Sequence, residues 1–216
     1  MKLLRFCAVA LLLPQLVFAG FEIGGDFSYF NPQLTTRIYP ALASRQSTGF
    51  SGALYTGYAH ITVALPHVVT IGFGPTLAYT NQNSVDGVTI EEVSISRFGG
   101  DAKIQIETIP FLSPYLRLTL GKDTISWIDR GSVGTGRYIA ESTAGGLYYS
   151  AMLGVQLPFS AEFALYAQAG YTASPGSRML SRSYAVDGVR QTVNVPGDAD
   201  TGYSGWVIGA GGRLSF

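Results

Sequence analysis

Residues 61–79 read ITVALPHVVTIGFGPTLAY. The stretch is apolar enough to suggest a membrane helix, and from Arg45 to Asp86 no Asp, Glu, Lys or Arg intervenes. Pro66, Gly72, Gly74 and Pro75 break any helix here, and β-branched residues dominate. From Val69 the alternate positions are Val69, Ile71, Phe73, Pro75, Leu77 and Tyr79, with Thr70, Gly72, Gly74, Thr76 and Ala78 between them. Bulky apolar residues thus share one face, and small or polar residues share the other. A repeat of two predicts a strand of about ten residues, the length that crosses a bilayer when tilted.

The same alternation recurs seven times. Its apolar rows are Phe21 to Tyr29, Ala53 to Leu65, Phe98 to Ile106, Leu116 to Leu120, Leu147 to Leu157, Phe163 to Tyr171 and Trp206 to Phe216. Short turns bearing Pro join some neighbours, at 65–68, 109–114 and 157–161. Long polar connectors join the others, at about 31–48, 80–96, 121–145 and 173–203. An even strand number with short and long connectors alternating predicts an all-β fold. The expectation is an eight-stranded antiparallel up-and-down transmembrane barrel, with short periplasmic turns and four long extracellular loops. Closure also removes exposed sheet edges.

Composition fits this reading. Of 216 residues 47% are apolar and 13% charged, with Lys+Arg and Asp+Glu at 14 each. So apolar a chain is not disordered, and zero net charge argues against a nucleic-acid partner. Residues 1–19, MKLLRFCAVALLLPQLVFA, carry Lys2 and Arg5, an apolar run, and Val17 and Ala19 at the −3 and −1 positions. They are expected to be a cleaved signal peptide, leaving 20–216 as the barrel domain in the cell outer membrane. Cys7 lies in that segment, and Arg5 just before it argues against lipidation. The mature chain then has no thiol for a disulfide, a nucleophile or a metal. No cofactor is expected.

A soluble barrel would turn the apolar face inward and carry Lys and Glu outside. Here the polar rows hold mostly Gly, Ser, Thr, Gln and Tyr. The apolar rows end in aromatics at two heights: Tyr29, Tyr55, Tyr79, Phe98, Tyr149, Tyr171 and Trp206 above, Phe21, Phe111, Phe159, Phe163 and Phe216 below. Aromatic rings gather at membrane interfaces, so the apolar face is expected to meet lipid. The signal segment, the eight amphipathic strands, PYLRLTLG (114–121) and MLGVQLPFSAEFALYAQAGYT (152–172) together resemble the small outer-membrane β-barrel family. That family includes the opacity proteins and OmpA-type barrel domains. The resemblance implies that the last strand, with Trp206, Ile208, Leu214 and Phe216, is read by the barrel-assembly machinery. It carries no catalytic residue across.

Eight strands leave an interior that side chains fill. The inward rows place Glu22, Asp26, Asp101, Lys103, Glu107, Arg117, Glu162 and Arg213 there. Buried charges must pair, and Glu22 with Arg213 and Glu107 with Arg117 are the expected neighbours. The network is read as a structural plug rather than a gated ion path. His60 is inward beside Thr62, and His67 falls in a turn; neither has companions at catalytic or metal-ligand spacing.

The loops are the expected place of function. Trp127, Arg130, Arg137 and Tyr138 in the third, and Arg178, Arg182, Tyr184 and Arg190 in the fourth, combine Arg with aromatics as binding hot spots do. Their arginines also suit lipopolysaccharide phosphates. Val186-Asp187-Gly188-Val189 reads as a β-turn above the membrane, a pattern repeated at Val85–Val88, and GSVGTGR (131–137) is not a phosphate loop. The expected function is a monomeric barrel with a structural or adhesin-like, surface-interaction role and no enzymatic activity. Expected partners are outer-membrane lipid, lipopolysaccharide, the assembly machinery and a host or surface ligand at the loops. A narrow channel for small or apolar solutes is the alternative, ahead of a lipid-modifying enzyme.

Overall fold

Ten strands account for nearly all of the chain described in a computed structural model: residues 19–37, 46–65, 68–83, 90–107, 111–133, 136–186, 188–193 and 200–216. They are β1 (Ala19–Arg37), β2 (Gln46–Gly49), β3 (Gly52–Leu65), β4 (Val69–Asn83), β5 (Ile90–Ile106), β6 (Ser113–Val133), β7 (Gly136–Pro158), β8 (Phe163–Val186), β9 (Val189–Val193) and β10 (Asp200–Ser215). Eight of them, in the order β10-β1-β3-β4-β5-β6-β7-β8, form one antiparallel sheet, and β8 pairs back onto β10 to close it. The short β2 and β9 extend the wall beside β1 and β8. The seam is well knit: β1 and β10 pair from Glu22↔Ser215 to Arg37↔Asp200. Below that, Phe21 and Phe216 exchange backbone hydrogen bonds of 3.1 and 2.8 Å. This is the all-β up-and-down barrel that the alternation predicts.

The faces follow the predicted rows. Phe27, Tyr55, Ile71, Leu77, Ile104, Leu118, Leu153, Leu165 and Ile208 all point outward and are exposed. A continuous apolar belt of this size far exceeds the patches tolerated on soluble monomers. Rings flank it at two heights, with Tyr171 edge-on to Trp206 (5.6 Å between centroids) above and Phe21 beside Phe216 (6.4 Å) below.

The strands run far beyond the predicted rows, which is the first correction. β8 has 24 residues and β7 has 23. At about 3.3 Å per residue β8 extends roughly 80 Å, more than twice what a tilted crossing requires. Large parts of the four expected loops are therefore wall. The reason is an inversion of the pattern. Above Phe98 many buried positions are apolar, as at Val93, Ile95, Ile125 and Met179, with some polar ones such as Asp123 and Ser142 among them, and polar residues such as Ser96 and Thr124 take the outside. That is what water outside the wall requires. Within 186–189, Val186 pairs with Val189 and Gly188 is left-handed (φ 85°), so the predicted turn is there. His67 and 85–88 lie outside the described residues.

Candidate functional site: the filled interior and the upper wall

Along the barrel axis the interior divides into two layers. The lower one is polar. Arg213 Nη1 donates to Glu22 Oε2 at 3.0 Å, and Lys103 Nζ donates to Glu22 Oε1. Arg117 reaches three ways: Nε to Asp101 Oδ2, Nη1 to Asp26 Oδ2 at 3.4 Å, and Nη2 to Thr76 Oγ1 at 3.4 Å. Asp26 also accepts from Ser28 at 2.8 Å and Tyr166 at 3.3 Å. His60 lies between the two groups, its Nδ1 3.7 Å from Glu22 and its Nε2 3.2 Å from Asp101. Its ring stacks on Tyr58 at 4.6 Å, whose face also carries the Arg117 guanidinium at 4.5 Å.

Six of the eight charged residues expected inside thus join one network: Glu22, Asp26, Asp101, Lys103, Arg117 and Arg213. The expected Glu22–Arg213 pair is present. The other two expectations are corrected. Glu162 is exposed in the turn before β8, because the strand begins only at Phe163 and the alternation does not extend into the turn. Glu107 lies at the lower rim, half-buried, and accepts from Thr70 Oγ1. Lys103, not Glu107, is in register with Arg117, so the guanidinium turns to Asp101 and across the lumen to Asp26. Without those two acids, three carboxylates face three cations, the balance a low-dielectric interior requires.

Tyrosine and glycine fill the remaining width. Tyr58, Tyr115 and Tyr166 cluster in the lumen. Each lies over the glycine in register with it: Tyr58 on Gly24, Tyr115 on Gly154 and Tyr166 on Gly211. A Cβ on any of the three glycines would come within 2.4, 2.3 and 2.6 Å of the ring. The glycines make room for phenol rings inside a narrow barrel.

The upper layer is apolar. Phe30, Leu34, Phe50, Leu54, Val93, Ile95, Ile125, Trp127, Met152, Met179, Tyr203 and Val207 form one buried cluster. Arg97 caps the polar layer beneath it. Its Nε donates to Tyr203 Oη at 2.9 Å, and its guanidinium faces Phe30, Tyr203 and Tyr148 at 4.9, 4.9 and 5.3 Å. Between the layers lies a cavity of about 30 Å³, room for one or two waters.

The loop candidates separate. Trp127 is a correction: it points into the barrel from β6 and is 1% exposed, so it packs the upper cluster rather than standing on the loop surface. Arg190 is exposed and donates to Glu141 at 2.6 Å and to Ser183 at 3.2 Å, clamping β9 to β7 and β8. Arg130 and Arg178 are exposed and Arg182 is half-buried. Arg137 and Tyr138 belong to β7 and Tyr184 to β8, with side chains outside the described part of the structure. The assembly candidates Trp206, Ile208, Leu214 and Phe216 all face outward on or just after β10.

Arg97, Asp123 and His60 were absent from the expected network. One more step of the inward row, from Gly99, reaches Arg97. Asp123 has a local role. At Pro175-Gly176 β8 carries one extra residue, shifting register against both β7 and β10. Asp123 Oδ1 stitches the break, accepting from Gly146 N at 3.1 Å and Ser177 Oγ at 3.3 Å. Ser174 Oγ donates to Leu147 O at 3.1 Å. Among the described residues no cluster of His, Cys, Asp and Glu is fit to hold a metal ion.

No protein-family model matches the chain. No curated protein matches it either. Solved structures do. Neisserial surface protein A superposes with a TM-score of 0.51 at 13% identity, covering 91% of this chain and 97% of its own. The outer membrane protease OmpT from Escherichia coli gives 0.47 at 9% identity, with 91% and 97% covered. The outer membrane protein OprG from Pseudomonas aeruginosa gives 0.45 at 13% identity, with 92% and 96% covered. At such identities the likeness is one of fold, and it is carried by the first of the three. The architecture is that of the small outer-membrane β-barrels.

Proposed function

We propose that this outer-membrane-type barrel is a non-conducting surface protein, a rigid stalk whose tall wall presents interaction sites above the bilayer. The observation that carries this reading is the two-layer filling of the lumen. Charged groups tied to one another occupy its lower part, and close-packed Phe, Leu, Ile, Met and Trp side chains occupy its upper part. An ion would have to break the first layer and then cross the second without water. Apolar solutes meet the reverse order. The sheet break at β8, the natural place for a lateral opening, is bridged by Asp123 and Ser174. A hydrolytic reading has little support: His60 is buried between two carboxylates rather than beside a hydroxyl nucleophile.

In this reading the chain is exported, 1–19 are removed, and the outward row of β10 serves the assembly machinery. The upper wall with Arg130, Arg182 and Arg190 meets the partner. Two measurements on the refolded full chain test the proposal. Planar-bilayer recordings should be silent, and reproducible conductance steps would overturn the non-conducting half. Cells displaying the barrel should bind immobilised sulfated glycans and matrix proteins more than cells without it. Binding that survives replacement of 182–190 by Gly and Ser would overturn the assignment of the upper wall.

A further inference from the structure

We propose that the outer wall at the β8 bulge holds the phosphorylated headgroup of an outer-leaflet glycolipid, of the lipopolysaccharide class. This rests on the membrane reading above and adds a site to it. The extra residue at Pro175-Gly176 displaces the strand and leaves a groove of about 810 Å³ between β6, β7 and β8. Its lining combines Leu147 and Leu180, each 62% exposed, with the exposed cations Lys122 and Arg178. An added Cβ at Gly176 would meet nothing within 4 Å, so the groove is open at that point.

Height and charge identify the occupant. Lys122 is in register with Phe98 on one side and Leu147 on the other. Phe98 belongs to the upper ring of aromatics, and just above it the wall changes from apolar outside to apolar inside. Lys122 therefore stands where lipid headgroups begin, and Arg178, in register with Gly145, stands one step higher. Leu147, level with Lys122, offers apolar contact to the first part of an acyl chain, while Leu180 lies above Arg178 on the rising β8.

Among the described residues neither cation has an ion-pair partner. Asp123, which contributes to the lining, directs its carboxylate into the barrel to Gly146 and Ser177. The acid in register with Arg178 is Asp200 on β10, and it lines a separate groove with Tyr149 and Tyr171. Two free cations beside the exposed Leu147 at headgroup height are complementary to a phosphate above an acyl chain. A guanidinium and an ammonium can share the oxygens of one phosphate group or take one group each.

The test uses the refolded full chain in detergent micelles, titrated with bis-phosphorylated lipid A and followed by native mass spectrometry. One lipid A per chain is expected. Lys122→Gln and Arg178→Gln should each weaken binding about tenfold, as loss of a charge-assisted hydrogen bond does. Enzymatic dephosphorylation of the lipid should match the double variant. Undiminished binding by the double variant, or equal binding of the dephosphorylated lipid, overturns the site. If such a chain still inserts into vesicles with heat-modifiable gel mobility, the membrane reading survives that loss. A chain that does not insert at all overturns both.

Discussion

Arg117 is the side chain whose removal reports most directly on the lower plug. It is buried, bonds Asp101 through Nε, and spans the lumen to Asp26 and Thr76. Arg117→Met keeps much of the volume and the contact with Tyr58 but leaves two buried carboxylates without their cation. Breaking such a pair from one side costs about 3–5 kcal/mol. The structure puts this case near the lower bound, because each acid keeps other donors. Asp101 retains Thr119, with the His60 ring 3.2 Å away, and Asp26 retains Ser28 and Tyr166. The expected loss is therefore about 3 kcal/mol, read from equilibrium urea unfolding in lipid vesicles by tryptophan fluorescence. Neutralising the stranded acids, as Arg117→Met with Asp26→Asn and Asp101→Asn, should restore at least half of it. Breaking the Arg190–Glu141 pair, whose side chains are 68% and 56% exposed, should cost at most about 1 kcal/mol in the same assay. An Arg117→Met barrel within about 1 kcal/mol of the parent would refute the reasoning, since that is the range of exposed pairs. So would a triple variant no more stable than the single one.

Two further outcomes follow from the same geometry. Ile104→Arg places a charge on the outward face, at a side chain 46% exposed, and should destabilise the inserted barrel by about 2–4 kcal/mol; normal vesicle insertion and stability would contradict the facing. Gly154→Ala drives a Cβ into the Tyr115 ring and should cost about 1–3 kcal/mol, whereas Gly57→Ala, whose Cβ meets nothing within 4 Å, should unfold at the parent's urea concentration.

The membrane-crossing half of the barrel was legible because lipid imposes a simple rule on alternate residues. Val69 to Tyr79 shows it in a single strand, and the same rule located Asp26, Asp101, Lys103 and Arg117 inside. Which of them pair was not legible. Lys103 and Glu22 are 81 residues apart, and their contact depends on how far a side chain reaches across the lumen. Glu107 shows the limit: the hairpin does bring β5 beside β6, but register gives Arg117 to Lys103's level and leaves Glu107 at the rim. Glu162 failed for a local reason, since alternation has no meaning in a turn.

The upper half was not legible for a different reason, and that reason bears on function. Reading 121–145 as loop treated the end of the lipid-facing pattern as the end of the strand. Instead the same strands continue with their faces exchanged, so that Ile125 and Trp127 on β6 and Ala144 on β7 pack inward. One wall thus solves two solvent problems in succession, apolar side out where lipid surrounds it and apolar side in where water does. The exchange falls at Phe98 and Lys122, on adjacent strands and in register. A wall with its own packed core does not fray above the bilayer as a set of unsupported loops would. In the proposed reading the surface offered to a partner is a fixed sheet face, held by Trp127 and its neighbours from within. Specificity should then depend on residues that point outward from these extended strands, such as Arg178 and Arg190, more than on the tips that join them.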